Sequence, residues 1–354
     1  MSVHPAHIAQ KGDLDSEGMN RPAWPCYDPR KGHYEVWYLT WVDPDSGQGA
    51  WIRFTMDIPS DSNRKDEPKV SVWCSFFDRR DPTRTGSWKA DYPLEAFSFE
   101  DNPFRVKISD SELTMSGTAG NLEPEGGPPV QWELEWGTDS THPFLHLPPS
   151  LYRGFFPRTK VLSPHLDLQI SGFLRIGDQR VELREVPGGQ THLWGTCHAW
   201  KWTWGHVNHF TDGGVGVFEG LTGQVAFGPF RSWPLSASFL RLDEKQYAFN
   251  TWYSALRNRG RPGPLPEWEF CARSRTHRLE GCFRAKKEDT VLVEYRDPDG
   301  RRLWCANSEI ATAHMTLSER VGRTWEERAR LVADGTAAVE FAGDEVSRAY
   351  GLWT

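Results

Sequence analysis

Read in steps of two, the stretch from Trp200 to Phe210 separates into two faces. Its even positions hold Trp200, Trp202, Trp204, His206, Asn208 and Phe210, and its odd positions hold Lys201, Thr203, Gly205, Val207 and His209. A period of two is the mark of a β-strand, because successive side chains point to opposite sides of a sheet. The same short alternating runs recur along the chain, split by turn residues. "HYEVWYLTWV" gives way to "DPDSGQG" and then to "AWIRFTMDI"; "FRVKI-SDS-ELTMS", "LDLQISGFLRI-GD-QRVELREV" and "VLVEYR-DPDG-RRLWCANSEI" repeat the layout. Helical spacing is scarce. In "RTWEERARLVADG" (323–335) Trp325, Ala329 and Val332 fit a helix, but the run also reads as an edge strand. Hairpin after hairpin without intervening helices predicts an all-β fold, a sandwich or barrel.

A weak internal echo divides this pattern in two. "YEVWYLTWVDPDSGQGAWIRFTMDI" and "WKWTWGHVNHFTDGGVGVFEGLTGQV" share a Trp-rich strand, a Gly/Asp turn and a second strand. Together with a length of 354 residues, the echo predicts two β domains of similar construction. The expected division is an N-terminal arm over 1–32, a first domain over 33–185 and a second over 186–354. The two clearest long loops are 120–130 and 257–266, the second carrying Arg257, Arg259 and Arg261.

Composition narrows the partners. Hydrophobic content of 38% and charged content of 25% describe a globular chain able to build real cores. The net charge of -7 comes from interspersed acids and bases, which argues against nucleic acid or an anionic membrane as the main partner. The first twenty residues show no basic-then-apolar signal pattern and the chain has no long apolar run, so a cytoplasmic protein without an integral membrane segment is expected. The six cysteines form no CxxC pair, which favours free thiols; Cys271 and Cys282 are the best candidates for a disulfide, across a hairpin turning near Thr276 and His277.

Tryptophan is the unusual residue: Trp 18, beside Phe 19 and Tyr 9. That supply can hold a β core together, or line a cavity for a flat apolar guest. His192, His198, His206 and His209 lack the close spacing of a zinc motif, and no Cys-x₂-Cys or HExxH supports them, so no metal is expected. Nor is there a nucleophile elbow, a phosphate loop or a dinucleotide fingerprint, so no nucleotide cofactor is expected. What remains is an aromatic cavity with a few polar groups. His192, before a Trp-Gly step, and Glu35, on the first Trp-rich strand, are the candidates to move a proton. Their alternatives are a turn-capping histidine and a glutamate paired with an arginine.

"HYEVWYLTWV" resembles the E-W-W-Y strand of a two-domain, lipocalin-like superfamily: carotenoid 1,2-hydratases, tocopherol cyclases, AttH-like proteins and the fungal decalin-forming Diels–Alderases. "SGFLRIGDQRVELREVPGGQTHLWGT" followed by "WKWTWGHV" resembles the same group's strand, D-H-x-W-G turn and W-x-W strand. Glu35, Trp37 and Tyr38 fall on the first motif; His192, Trp194, Gly195, Trp202 and Trp204 fall on the second. The resemblance implies two packed lipocalin-like domains and a cofactor-free cyclase or isomerase acting on a hydrophobic polyene, prenylated or polyketide-type molecule of secondary metabolism. Trp37, Tyr38, Trp41, Trp194, Trp202, Trp204, His206 and Asn208 would shape the cavity, with His192 and Glu35 as the catalytic pair. Thr191 stands where hydratases and cyclases of the group carry an acid, and a threonine cannot protonate an alkene. Hydration of an isoprenoid double bond and non-catalytic carriage of a hydrophobic ligand are the neighbouring readings; a sugar-binding module with Trp platforms is a third.

Overall fold

The structure is a computed structural model that describes residues 16–24, 27–63, 65–137, 143–152, 156–227, 230–261 and 266–351. Cys26, most of the N-terminal arm and residues 262–265 of the arginine-bearing loop lie outside the described residues. Twelve strands build the first sheet: β1 His33–Asp43, β2 Gln48–Ile58, β3 Lys69–Asp78, β4 Gly86–Pro93, β5 Phe97–Asp101, β6 Phe104–Ile108, β7 Ser111–Thr114, β8 Gly117–Leu122, β9 Val130–Trp136, β10 Phe144–Leu145, β11 Thr159–Ile176 and β12 Gln179–Gly195. Their order is β4-β3-β2-β1-β12-β11-β9-β8-β7-β6-β5, with β10 beside β11. The two end strands, β4 and β5, are joined by a single turn at Leu94–Ala96, so the sheet curls until its edges nearly meet.

The second sheet follows the same plan. Its strands are β13 Lys201–Val207, β14 Gly216–Gln224, β17 Leu235–Leu242, β18 Lys245–Ala248, β19 Arg259–Gly260, β20 Glu267–Arg273, β21 His277–Arg284, β22 Val291–Arg296, β23 Arg302–Val321 and β24 Thr324–Ala342; β15 Ala226–Phe227 and β16 Phe230–Arg231 form a separate small hairpin. The order is β18-β17-β14-β13-β24-β23-β21-β20-β19. The protein is all-β, two lipocalin-like sheets in series. Residue 186, the expected boundary, lies within β12; the chain leaves the first sheet at Gly195 and enters the second at Lys201. The run 323–335 is strand throughout its paired length, held by β23. Within the β20–β21 hairpin, Cys271 stands opposite Glu280 and Cys282 opposite Glu269. This two-residue offset sets the thiols diagonally, beyond ordinary disulfide reach. Both are free.

The central strands are buried on both sides, which explains their aromatic density. On β1 the odd residues Trp37, Leu39 and Trp41 join Phe54 and Trp132 in the core of the first sheet. The even residues Tyr38 and Val42 face the second sheet, where they meet Trp51, Trp73, Trp202 and Trp204 in a separate apolar layer. On β13 the even positions again face the seam. Its large even residues enter that layer, while Val207 packs with Phe218, Trp268 and Phe283 inside the second sheet.

Two glycines mark where a side chain has no room. A Cβ on Gly195 would lie 2.1 Å from the Arg158 carbonyl oxygen, where the chain turns out of the first sheet. A Cβ on Gly205 would lie 2.8 Å from Phe283 and 2.9 Å from Trp268, so the small face of β13 lets two core rings approach the backbone. Gly205→Ala is therefore expected to lower stability by about 1–3 kcal/mol through overpacking. Urea denaturation of the variant beside wild type checks this; an unchanged midpoint would contradict it.

Candidate functional site

Pairing β1 with β12 sets Glu35 opposite Trp194 and Trp37 opposite His192, all on the first sheet's own side. Glu35 is 0% exposed and receives four hydrogen bonds: from His192 Nε2 and His33 Nε2 at 2.9 Å each, and from the backbone amides of Ala23 and Trp24 at 2.6 and 3.0 Å. His192 Nδ1 donates to the Met19 carbonyl at 2.6 Å, and its ring stacks on Trp37. Burial alone would raise the Glu35 carboxyl, but the two histidines outweigh it and hold it at about 2. The expected catalytic pair is thus a saturated network tying residues 19–24 to the sheet. Neither member lines the cavities described below. Trp41 is likewise core, and Trp194 packs with Met19, Tyr152 and Leu162 beneath the same strap.

The other expected residues gather on the opposite side of β1, in the seam between the sheets. Tyr38, Trp202 and Trp204 line a cavity of about 100 Å³ together with Val36, Leu193 and Leu221. Thr191 also lies on its wall. Arg53 crosses the seam to form an ion pair with Glu340 and bonds Asn307 at 3.0 Å. Its guanidinium lies 4.3 Å from the ring centres of Tyr38 and Trp51, and Trp202 Nε1 donates to the same Glu340 at 3.2 Å. His206 and Asn208 do not line this cavity: His206 Nδ1 bonds Glu219 at 2.8 Å, and Asn208 Nδ2 bonds the Gly188 carbonyl at 2.6 Å. The period-two face of 200–208 therefore does end at the seam, with its last two polar residues spent on structure.

His198, in the short link between the sheets, is the group sequence reasoning missed. Its Nδ1 donates to Asp297 Oδ1 at 2.7 Å, and its own amide donates to the same oxygen at 2.7 Å. The ring is clamped between Tyr34, 3.9 Å away and nearly parallel, and Tyr295, 5.5 Å away at 7°. Asp297 is buried, which raises its carboxyl, yet the His198 bond and the nearby Arg301 bring it below the usual range. With Nδ1 committed to a carboxylate, Nε2 is left as the acceptor, without a hydrogen-bond partner among the described residues. His198 also lies on the wall shared by the aromatic cavity and a wider vestibule of about 570 Å³. The signal was present as an even-position histidine beside Trp200, but Asp297 lies 99 residues away in a "DPDG" turn.

Two more buried carboxylates, Glu219 and Glu309, each accept from residues across the seam. Glu219 accepts from His206, from His146 Nε2 at 3.1 Å, from Ser163 at 2.9 Å and from Trp204 Nε1 at 2.7 Å. Burial is again outweighed, and its carboxyl sits at about 2. Glu309 differs. Among the described residues it accepts only from the side-chain hydroxyls of Tyr38, at 2.6 Å, and Thr40, and burial pushes it up to about 7. Among the described residues no group of three or more His, Cys, Asp or Glu side chains is placed to hold a metal ion.

These carboxylates give stability a pH signature. Glu35 and Glu219 stabilise the fold above the ordinary value of 4.5, and that contribution is lost as pH falls toward about 2. Glu309 acts in the other direction. Between 4.5 and about 7 the folded protein keeps a proton that the unfolded chain has released, so stability falls as pH rises through that window. Glu309→Gln is expected to gain on wild type as pH climbs from about 5 to about 8 in urea denaturation. Parallel profiles would contradict the assignment. His192→Ala, by contrast, strips a buried partner from Glu35 and is expected to cost about 3–5 kcal/mol, while leaving ligand binding at the seam intact in titrations below the melting transition.

Comparison with known proteins agrees with this architecture. The chain is 27% identical over 328 residues to the uncharacterized protein Rv0493c of Mycobacterium tuberculosis, covering 91% of this chain and 90% of that protein. Among solved structures it resembles an AttH-designated protein of Nitrosomonas europaea, with a TM-score of 0.54 at 15% identity, covering 89% of this chain and 93% of the other. It also resembles CghA, with a TM-score of 0.57 at 10% identity, covering 98% and 96%; a second CghA structure, with Sch210972, gives 0.53 at 11% identity over 89% of each chain. At these identities the likeness is one of fold. The sequence profile of the tocopherol cyclase-like family matches residues 127–347, more than half of the chain and running from the end of the first sheet through the second. The protein belongs to the tocopherol cyclase-like family.

Proposed function

We propose that the protein is a cofactor-independent isomerase that cyclises an apolar, polyunsaturated small molecule bound in the seam between its two sheets. The observation that carries the reading is His198: an imidazole oriented by Asp297 through Nδ1, on the wall of an aromatic cavity, with no partner for Nε2 among the described residues. Such a ring takes or returns one proton at a substrate edge, and the carboxylate behind it fixes the tautomer. The vestibule and inner cavity together fall in the ~300–1,000 Å³ range of small-molecule sites. Tyr38, Trp202 and Trp204 supply rigid walls that fold a flexible chain into a reactive conformer, an orientation effect worth several kcal/mol. Ring closure turns π bonds into σ bonds within one molecule, so atoms and electrons balance without a co-reactant. CghA, similar in fold and solved with a bound compound, is in keeping with small-molecule binding here.

The test is a product profile. Purified protein is incubated with linear polyene precursors, and products are resolved by mass and retention. A cyclised isomer of unchanged mass is expected; a product heavier by one water would favour hydration instead. His198→Asn is expected to lower turnover by about 10²–10⁴-fold with an unchanged melting point, and Asp297→Asn to act in the same direction through the lost orientation. Ligand binding with wild-type turnover in His198→Asn would remove the histidine from the reaction.

A further inference from the structure

The vestibule in front of His198 differs in chemistry from the cavity behind it. Its floor is aromatic, formed by Tyr34, Trp73 and Tyr295, but its sides are charged. Most of these charges are paired. Lys69 Nζ and Lys89 Nζ share Asp91 at 2.8 Å each, and both also lie near enough to Asp57 to favour its anion without bonding it; Arg296 lies 2.8 Å from Asp66, and Glu294 pairs with Arg302. Lys65 is exposed at the rim. Two carboxylates of the vestibule, Glu67 and Asp57, make no hydrogen bond or ion pair with any described residue; Glu67 is exposed at the rim, whereas Asp57 is half-buried on the wall.

Strand geometry fixes where this carboxylate points. Asp57 shares the seam-facing parity of Arg53 on β2, and it is the cross-strand partner of Tyr34 on β1. Tyr34 is the ring stacked on His198 at 3.9 Å. Directly opposed residues on one sheet face have Cβ atoms about 4.5–5.5 Å apart, so one aromatic ring separates Asp57 from His198. Burial pushes the Asp57 carboxyl up from its ordinary value, the mark of an anion whose solvation is incomplete. A ligand group that donates hydrogen bonds would complete it, and the surrounding ring faces favour positive charge.

We infer that Asp57 is a specificity residue that receives the hydrogen-bond-donating head, an amine in its strongest form, of an amphiphile whose apolar end enters the seam cavity. This rests on the seam being the substrate site. It adds a polarity rule: the head stays in the vestibule with Asp57, and the unsaturated part passes His198 toward Trp202 and Trp204.

Three probes that share one apolar end test it: 3-phenylpropylamine, 3-phenylpropanol and 3-phenylpropanoate, titrated calorimetrically against the full chain near neutral pH. The amine is expected to bind about tenfold or more tighter than the carboxylate, with the alcohol between them. Asp57→Asn is expected to erase most of the amine's advantage and leave the alcohol unchanged, with the melting point retained. Equal affinity for amine and carboxylate, or an amine preference that survives Asp57→Asn, would overturn the inference while leaving the role of His198 untouched. No binding of any probe would overturn it as well. A loss of the His198 effect on turnover with the Asp57 preference intact would overturn only the catalytic reading.

Discussion

Everything at the seam depends on one buried ion pair. Arg53 leaves the first sheet and meets Glu340 of the second, with Tyr38, Trp51 and Tyr295 stacked around the guanidinium. A buried pair of this kind adds little net stability compared with apolar packing, because desolvation offsets most of the attraction. Its value is geometric. An arginine with a 4% exposed side chain is strongly penalised in any arrangement that separates it from its carboxylate. The pair therefore selects one register of sheet against sheet, and this register sets Trp202, Trp204 and Tyr38 around a common space. Trp202 reinforces the choice by donating to the other oxygen of Glu340.

The same requirement accounts for the other polar groups in an otherwise apolar layer. Tyr38 and Thr40 satisfy Glu309 across the seam, and His146 and Ser163 satisfy Glu219. Each bond links a residue of one sheet to a residue of the other. Apolar packing alone is tolerant of sliding, whereas paired carboxylates are not. In this chain the cavity thus lies between two filled sheets rather than within either. Trp132 and Trp268, each 1% exposed, occupy the interiors where a lipocalin-like barrel would otherwise hold a ligand.

Much of this was legible in the sequence, and the part that was not has a definite cause. The hairpins β1–β2, β6–β7, β11–β12 and β22–β23 follow directly from alternation and turn residues. The aromatic parity of β13 is also correct. What alternation cannot reveal is which side of a strand is which when both sides are buried. The echo between the two Trp-rich hairpins aligns Trp37 with Trp202, yet Trp37 faces its own sheet's core and Trp202 faces the seam. Glu35 and His192 share the parity of Trp37, so they fall on the closed side with the strap, and Tyr38, one residue on, falls on the open side. His198 was visible as a residue but not as a site, since its meaning comes from Asp297, brought to it only by the docking of β22 and its turn.

The central claim is that ligands enter the seam and not the interior of either sheet. Photolabelling with a phenylalkyl amine that carries a diazirine, followed by peptide mapping, tests it most directly. The account predicts adducts concentrated on Tyr38, Leu193, Trp202, Leu221 and Tyr295, the walls of the inner cavity. Adducts centred on Trp132 or Trp268, or in the open groove formed by Leu242, Tyr247 and Phe249, with the seam unlabelled, would contradict it.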